Sequence, residues 1–531
     1  MSTIICRGLS FGYEGAESDV FSRLDLIIDT HWRTALVGRN GRGKTTLLRL
    51  LAGALVPDRG EIEASVACRL FTGQPEDTGL TAWQAARNVA GPYTRWETEL
   101  ERLSAAADMA SLERYGELES RYRERGGYGI DSELERELGL LEVDPGLFDR
   151  PFERLSGGEQ TRCLLAGLFC RADGFPLIDE PTNHLDLAGR RRLAAYLADK
   201  TGFLLVSHDR AFLDACIDHV IALNPDTVET HRASFSVWRA QYRARLDEQA
   251  RTNALKKKEI RRFEATAEAR RAGASARESD KGPHVDKGYI GARAARQMKR
   301  ALAAERRAAQ AAETRRESLT DVEKTYTLKL PDPPEGISAG TALVTATNLS
   351  VSRGRRLFRP VSFSLTSGER LAVLGPNGCG KTTLLDLIAG LPIPHGGELV
   401  RPGYVRISRA SQLPRWRSGG LAARIASEGL DESRFRQIMA ALGVRGALLE
   451  QPLDRLSQGQ LKKIELARSL IEPAHLMIWD EPLNYIDVET REQLEGLFAG
   501  QGRQPALICV EHDARFVENV ATTVIELEPL G

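Results

Sequence analysis

Two segments of this chain carry a pair of acids at the end of an apolar run: Phe175-Pro176-Leu177-Ile178-Asp179-Glu180 and Leu476-Met477-Ile478-Trp479-Asp480-Glu481. Continuous apolar runs of this length suit strands buried on both faces of a parallel sheet, which would carry the acids to the sheet edge. There Asp179 or Asp480 can hold the shell of a Mg²⁺ ion. Glu180 or Glu481 can polarise a water for attack on phosphorus. The matching phosphate receptor also occurs twice, as Gly38-Arg39-Asn40-Gly41-Arg42-Gly43-Lys44-Thr45 and Gly375-Pro376-Asn377-Gly378-Cys379-Gly380-Lys381-Thr382. Both fit G-x-x-x-x-G-K-[ST], in which glycines let backbone N–H groups curl around phosphate oxygens. Lys44 and Lys381 would reach the β/γ-phosphates, and Thr45 and Thr382 would hold the metal. Thr46 and Thr383, the next residues, belong to the same nucleotide-binding set, as do Asn40, Gly41, Asn377 and Gly378.

Measured outward from the two lysines, further residues recur at matching distances. Lys44 to Gln74 is 30 residues and Lys381 to Gln412 is 31; Ser156 to Asp179 and Ser457 to Asp480 are both 23. Glu180 to His208 spans 28, and Glu481 to His512 spans 31. The histidines follow second apolar runs, Phe203–Val206 and Ala506–Val510, where a neutral imidazole can hydrogen-bond a γ-phosphate and the water. Gln74 and Gln412 are placed to sense the same metal and water. One interval breaks the symmetry: Gln74 to Ser156 is 82 residues against 45 for Gln412 to Ser457. The extra 37 or so fall near 96–130, with the spacing of a helical hairpin. A tolerated surface insertion and an arm that touches a partner are both open readings.

The elements that must position these residues make three parts: a first cassette over 1–230, a linker over 231–325 and a second cassette over 341–531. At 531 residues, 42% hydrophobic and 27% charged, the chain has length and composition for about three packed domains. No run of about 18 apolar residues spans a membrane, and the start lacks a signal-peptide layout. The seven scattered cysteines suggest reduced thiols in the cytoplasm.

Net charge is zero overall, yet residues 231–324 hold 24 Lys and Arg against 13 Asp and Glu. Phe235, Trp238, Tyr242 and Leu246 recur at helical spacing, and helix formers dominate to about Arg271. Ala272-Gly273-Ala274-Ser275 and Lys281-Gly282-Pro283 interrupt the pattern. A second helical run covers about 289–319. This predicts two long antiparallel helices with a tip at about 273–287, each reaching roughly 50 Å for about 35 residues. Such a basic hairpin is either a solvated surface or a probe for a polyanion, and folded RNA is the better candidate.

Leu155-Ser156-Gly157-Gly158-Glu159-Gln160 resembles the signature motif of ABC ATPases, and Pro181-Thr182-Asn183-His184-Leu185-Asp186 resembles their D-loop. The resemblance implies an α/β fold with two tandem ABC-type P-loop cassettes, joined here by the helical hairpin. It further implies ATP and Mg²⁺ as ligands, and cassettes that meet head to tail within one monomer. Site one would then combine Lys44, Thr45, Gln74, Asp179, Glu180 and His208 with Ser457 and Gly459. Site two would combine Lys381, Thr382, Gln412, Asp480, Glu481 and His512 with Ser156 and Gly158. The second signature departs from the pattern, reading Leu456-Ser457-Gln458-Gly459-Gln460. Tyr13 matches the aromatic that stacks on adenine, whereas the second copy has Arg353 there. The two sites are therefore expected to be unequal.

Two cassettes, a helical linker and no membrane span resemble the ABC-F group. Gly291-Ala292-Arg293-Ala294-Ala295-Arg296-Gln297-Met298-Lys299-Arg300 looks like the linker of its Lsa-type antibiotic-resistance members. So do the stretches FPLIDEPTNHLDLAG (175–189) and WDEPLNYIDV (479–488). By that resemblance, ATP would close the cassettes and let the protein enter the ribosomal exit site beside the P-site tRNA. The linker tip would reach toward large-subunit rRNA at the peptidyl-transferase centre and displace lincosamide, pleuromutilin or streptogramin A drugs. Hydrolysis would release the protein. The alternatives are a housekeeping translation factor without a resistance role, an ATPase subunit of a separately encoded exporter, and a DNA-repair ATPase. The last is the weakest, because zinc modules and very long coiled coils are missing.

Overall fold

The computed structural model describes residues 2–279 and 328–530, apart from 16–18, 72, 74, 76–78, 107, 171–173, 184, 225–226, 339, 445 and 500–503. Positions 303 and 310 are described between the two spans. Two compact units are formed, one by residues 1–236 with 326–531 and one by 237–325.

In the larger unit each cassette is built on a parallel sheet. The first has the strand order Ala67–Phe71, Gly174–Asp179, Phe203–Val206, Arg33–Val37, His219–Leu223, Val228–His231, antiparallel only at its last pair. The second orders Ile407–Ala410, Leu476–Asp480, Ala506–Val510, Arg370–Leu374 and Thr523–Glu526, all parallel. An antiparallel sheet accompanies each: Phe21–Asp29, Thr3–Phe11 and Arg59–Ala64 in one cassette; Val361–Thr366, Ala342–Arg353 and His395–Val400 in the other.

Strand Leu476–Asp480 shows why its sequence is apolar throughout. Met477 and Trp479 belong to a core with Phe435, Ile464 and Leu470 on the helical side. Leu476 and Ile478 point the other way, into a core with Phe358, Leu385 and Ile388. Alternation along a strand thus feeds two cores. The in-register pairs Asp179–Val206 and Asp480–Val510 put each aspartate at the sheet edge beside the strand that leads to a histidine.

Near the first cassette's extra residues, helices Tyr93–Ala105 and Met109–Glu124 pack on each other. Arg87 holds Glu97 (2.5 Å) and Asp131 (2.8 Å), and Tyr122 Oη donates to Glu97 Oε1 at 2.6 Å. Tyr93 Oη donates to the Arg125 carbonyl at 2.8 Å, closing the base of the pair.

A single helix, Phe235–Ser279, opens the linker, with Trp238 and Tyr242 stacked one turn apart at 5.3 Å. It runs through Ala272-Gly273-Ala274-Ser275, where the sequence pattern predicts the start of the tip. One glycine among alanines costs a helix only about 1 kcal/mol, less than flanking helix formers restore. The rest of the expected tip, from 280 to 287, and the second helical run at 289–319 lie outside the described residues apart from 303 and 310, both helical. Among the described residues no helix is long and apolar enough to cross a membrane.

Candidate active site

Both phosphate loops join a parallel strand to a helix, Arg33–Val37 to Lys44–Leu51 and Arg370–Leu374 to Lys381–Ala389. Neither helix has a side-chain cap, so its first N–H groups are left for an anion. Lys44 Nζ donates to the carbonyls of Gly38 (2.7 Å) and Arg39 (3.2 Å), and Lys381 Nζ to those of Gly375 (2.7 Å) and Pro376 (2.9 Å). Each ammonium is thereby held over its own loop. Gly43 has φ 83°, and a Cβ there would lie 2.5 Å from Val20 Cγ1 and 2.6 Å from Phe21 Cζ. Gly43→Ala is expected to cost about 1–3 kcal/mol through strain and overpacking, read as a lowered denaturant midpoint.

Thr45 Oγ1 donates to Asp179 Oδ2 at 2.7 Å, so the hydroxyl and carboxylate that would share a cation already meet. In the second cassette Asp480 is 1% exposed and both its carboxylate oxygens lack a hydrogen-bond partner among the described residues. Burial pushes its carboxyl up, and the Thr382 hydroxyl beside it acts in the opposite direction. Two orphaned carboxylate oxygens next to a threonine fit Mg²⁺, an oxygen-seeking cation.

Glu180 and Glu481 sit one residue beyond their strands in the left-handed region, at φ 48° and 46°. For a glutamate this costs of order 1–2 kcal/mol. The same turn lets Glu180 N–H bond Val206 O and Glu481 N–H bond Val510 O, both at 2.9 Å, which anchors each acid to the neighbouring strand. Gln412 Nε2 (3.0 Å) and Asn484 Nδ2 (2.6 Å) both donate to Glu481 Oε2. Glu180 Oε1 is buried without a hydrogen bond among the described residues. Burial first, and then Asp179, push the Glu180 carboxyl up to about 8. Gln74 lies outside the described residues.

His208 and His512 follow the next strands and are buried. Desolvation first, then Lys44 and Arg491, hold His208 well below the ordinary imidazole range. Burial, then Lys381, lowers His512 to about 3. Both are neutral near pH 7. Because the unfolded imidazole takes a proton below about 6.5 and the folded one only near 3, stability is lost as pH falls through that window. From pH 7.5 to 5.0 the parent chain should lose about 2 kcal/mol more than His512→Gln, measured by urea denaturation at both pH values.

The two cassettes meet so that each phosphate loop faces the other's signature. One cavity of about 430 Å³ is lined by Asn377, Gly378, Gly380, Lys381, Thr382, Thr383, Gln412, Glu481 and His512, and also by Ser156, Gly157 and Asn183. Gly158 is the next residue of the helix that Ser156 caps. Around the other loop, Asn40 Nδ2 donates to Tyr485 O (3.1 Å) while Asn40 Oδ1 meets His208 Nε2 (3.1 Å). Gly459 is there too, since a Cβ on it would lie 3.3 Å from Asn40 Nδ2 and 2.7 Å from Tyr485 O. Arg39 pairs with Glu489 at 2.8 Å. Ser156 and Ser457 each cap a helix through a reciprocal box with Glu159 and Gln460. The Gln458 departure therefore leaves the cap intact.

The family model described as ABC transporter matches residues 21–183 and 358–484. The tylosin resistance ATP-binding protein TlrC of Streptomyces fradiae is 31% identical over 96% of this chain and 94% of its own length. The energy-dependent translational throttle protein EttA of Mycobacterium tuberculosis is 29% identical over 93% of this chain and 86% of its own. The chain belongs to the ABC-F family. It is thus an ABC-F ATPase, with two ATP-binding cassettes. The archaeal ABCE1 structure solved with stalk protein aP1 shares its fold, with TM-score 0.54, 18% identity, and 98% and 87% of the two chains covered.

This ABC-F chain also contains an ionic layer that sequence reasoning passed over. Arg190 pairs with Asp209 and Arg491 with Asp513, each at 2.9 Å and buried, and Lys463 holds Asp487 at 2.6 Å. A signal was present: the arginines stand four residues after the D-loop aspartates Asp186 and Asp487, and Asp209 and Asp513 follow the two histidines directly.

Proposed function

We propose that this ABC-F ATPase binds the ribosome when ATP has closed its cassettes, and protects the peptidyl-transferase centre from antibiotics. The observation that carries the reading is the near end-to-end likeness, linker included, to a tylosin resistance protein. The excess of 11 positive charges over 231–324 supplies the affinity for rRNA phosphates. ATP would be bound at site one by Gly38, Asn40, Gly41, Gly43, Lys44, Thr45 and Thr46 with Tyr13 against the base, completed by Ser457 and Gly459. Site two would use Gly375, Asn377, Gly378, Gly380, Lys381, Thr382 and Thr383, completed by Ser156 and Gly158. Thr45, Gln74 and Asp179 would hold one Mg²⁺, and Thr382, Gln412 and Asp480 the other. When bound, the ion offsets charge on the β- and γ-phosphates.

Glu180 and Glu481, in their ionised form, accept a proton from the attacking water, and the neutral imidazoles of His208 and His512 fix the γ-phosphate side. Closure follows because the composite sites, and so their contacts to ATP, are complete only in the closed form. Hydrolysis then lets the cassettes part. The test is co-sedimentation of Glu180→Gln/Glu481→Gln with bacterial ribosomes in ATP. Pelleting only when ATP is present is expected; failure to pellet rules the reading out.

Resistance itself is tested by expression in a drug-sensitive bacterium. Inhibitory concentrations of lincosamide, pleuromutilin or streptogramin A drugs should rise several-fold, and a macrolide belongs in the panel because of the tylosin resistance relative. The likeness to a translational throttle protein favours a second reading, a translation factor without a resistance role. Unchanged inhibitory concentrations together with ribosome binding would select it. An exporter subunit would instead lower intracellular drug.

A further inference from the structure

The two nucleotide sites differ at the end where the base would lie, and matching backbone contacts make the comparison residue by residue. Val20 N–H bonds Phe11 O at 2.8 Å, and Leu357 N–H bonds Val351 O at 2.9 Å. Val20 and Leu357 each press on the last glycine of their loop, Gly43 or Gly380. Phe11 therefore corresponds to Val351 and, two residues on, Tyr13 to Arg353. Tyr13 is 45% exposed, edge-on to Phe11 at 5.1 Å, with its Oη 3.0 Å from Thr46 Oγ1. It is an aromatic plate backed by an aromatic.

In the second cassette both rings are gone. The connection shortens to a tight hairpin in which Arg353 pairs with Arg355 across Gly354, at φ 73°. Arg353 lines the same cavity as Lys381 and Thr383. Its guanidinium forms no ion pair among the described residues. An aromatic plate accepts the face of any base; a guanidinium can also lie on a face, but at a base edge it presents donors only, in a rigid fork. Guanine offers two adjacent acceptors, O6 and N7, on one edge. Adenine offers there one acceptor and an amino donor, which would oppose the fork.

We propose that Arg353 reads the base at site two, so that this site takes guanine nucleotides in preference to adenine nucleotides while site one keeps ATP. The inference rests on the reading of the Lys381 cavity as a nucleotide site. It is tested on the full chain carrying Lys44→Ala, which removes the phosphate grip of site one. ATP and GTP are titrated with Mg²⁺ in competition with a fluorescent nucleotide. GTP should bind about fivefold or more tightly than ATP, the lower end of what a bidentate guanidinium–guanine pair supplies.

Adding Arg353→Tyr should abolish that preference without moving the melting temperature. Arg353→Lys, which keeps the charge and loses the fork, should abolish it as well. ATP binding as tightly as GTP with Arg353 present overturns the inference, as does a ratio indifferent to Arg353→Tyr. In either case site two still stands as a nucleotide site. Binding of neither nucleotide to the Lys44→Ala chain overturns that reading too.

Discussion

Glu180→Gln/Glu481→Gln is expected to slow ATP turnover by about 10²–10⁴-fold, the range for loss of a general base, with nucleotide binding changed little. The side chains keep their size, so the left-handed turns at φ 48° and 46° and the anchoring bonds to Val206 and Val510 persist. What disappears is the carboxylate proposed to accept the proton. At Glu481, Gln412 and Asn484 already aim two donors at Oε2, and a glutamine can still present one carbonyl oxygen to them. Phosphate release under single turnover separates chemistry from later steps. A double variant that hydrolyses ATP within tenfold of the parent would remove both glutamates from the chemistry. The single variants should differ from each other, because Glu481 Oε2 accepts from Gln412 and Asn484, whereas Glu180 Oε1 makes no hydrogen bond among the described residues and has His208 Nε2 at 3.5 Å.

The second large effect concerns stability. Asp513→Ala should lower it by about 3–5 kcal/mol, the usual result of stripping one partner from a buried ion pair. Asp513 is 0% exposed; it accepts from Arg491 Nη1 at 2.9 Å and caps its helix through Phe516 N–H at 3.0 Å. Arg210 of the first cassette lies 3.7 Å away and also pairs with Glu495 of the second. Removing the carboxylate would leave two buried guanidinium groups undercompensated across the cassette contact. For domains of about 200 residues this corresponds to a fall in Tm of roughly 6–20 °C. A shift under about 2 °C would show that the network carries no net stability. Burial would raise the Asp513 carboxyl, but Arg491 and Arg210 hold it below the ordinary range. Its contribution is therefore present above the unfolded pKa near 3.8 and is lost as pH falls through the lower folded value.

The two-cassette fold was legible because its markers are local. A glycine-rich loop with a lysine, or an apolar strand ending in Asp-Glu, works through backbone geometry over fewer than ten residues. Those requirements leave the same residue types at the same spacing in both copies. The linker was less legible: its helix passes through Gly273, where composition predicted a break. Propensity at one position is a weak signal against 45 helical residues. Arg190, Arg491, Asp209 and Asp513 escaped notice because charged residues in sequence read as surface, and only burial gives them meaning.

By itself the sequence determined that there are two phosphate loops, which acids and imidazoles accompany each, and that positive charge gathers between the cassettes. It also recorded that Tyr13 and Arg353 differ. Tertiary structure alone decided how residues far apart meet: Asn40 with Tyr485 across 445 positions, Arg210 with Glu495 across 285, and Ser156 in one cavity with Lys381. The same tertiary packing put Arg353, at the end of a sheet strand, on the wall of that cavity, where its replacement of an aromatic has chemical consequence. The physical reason is range. Backbone conformation and strand burial are set by neighbours a few residues away, whereas the contacts that complete each site depend on how two folded cores pack against each other.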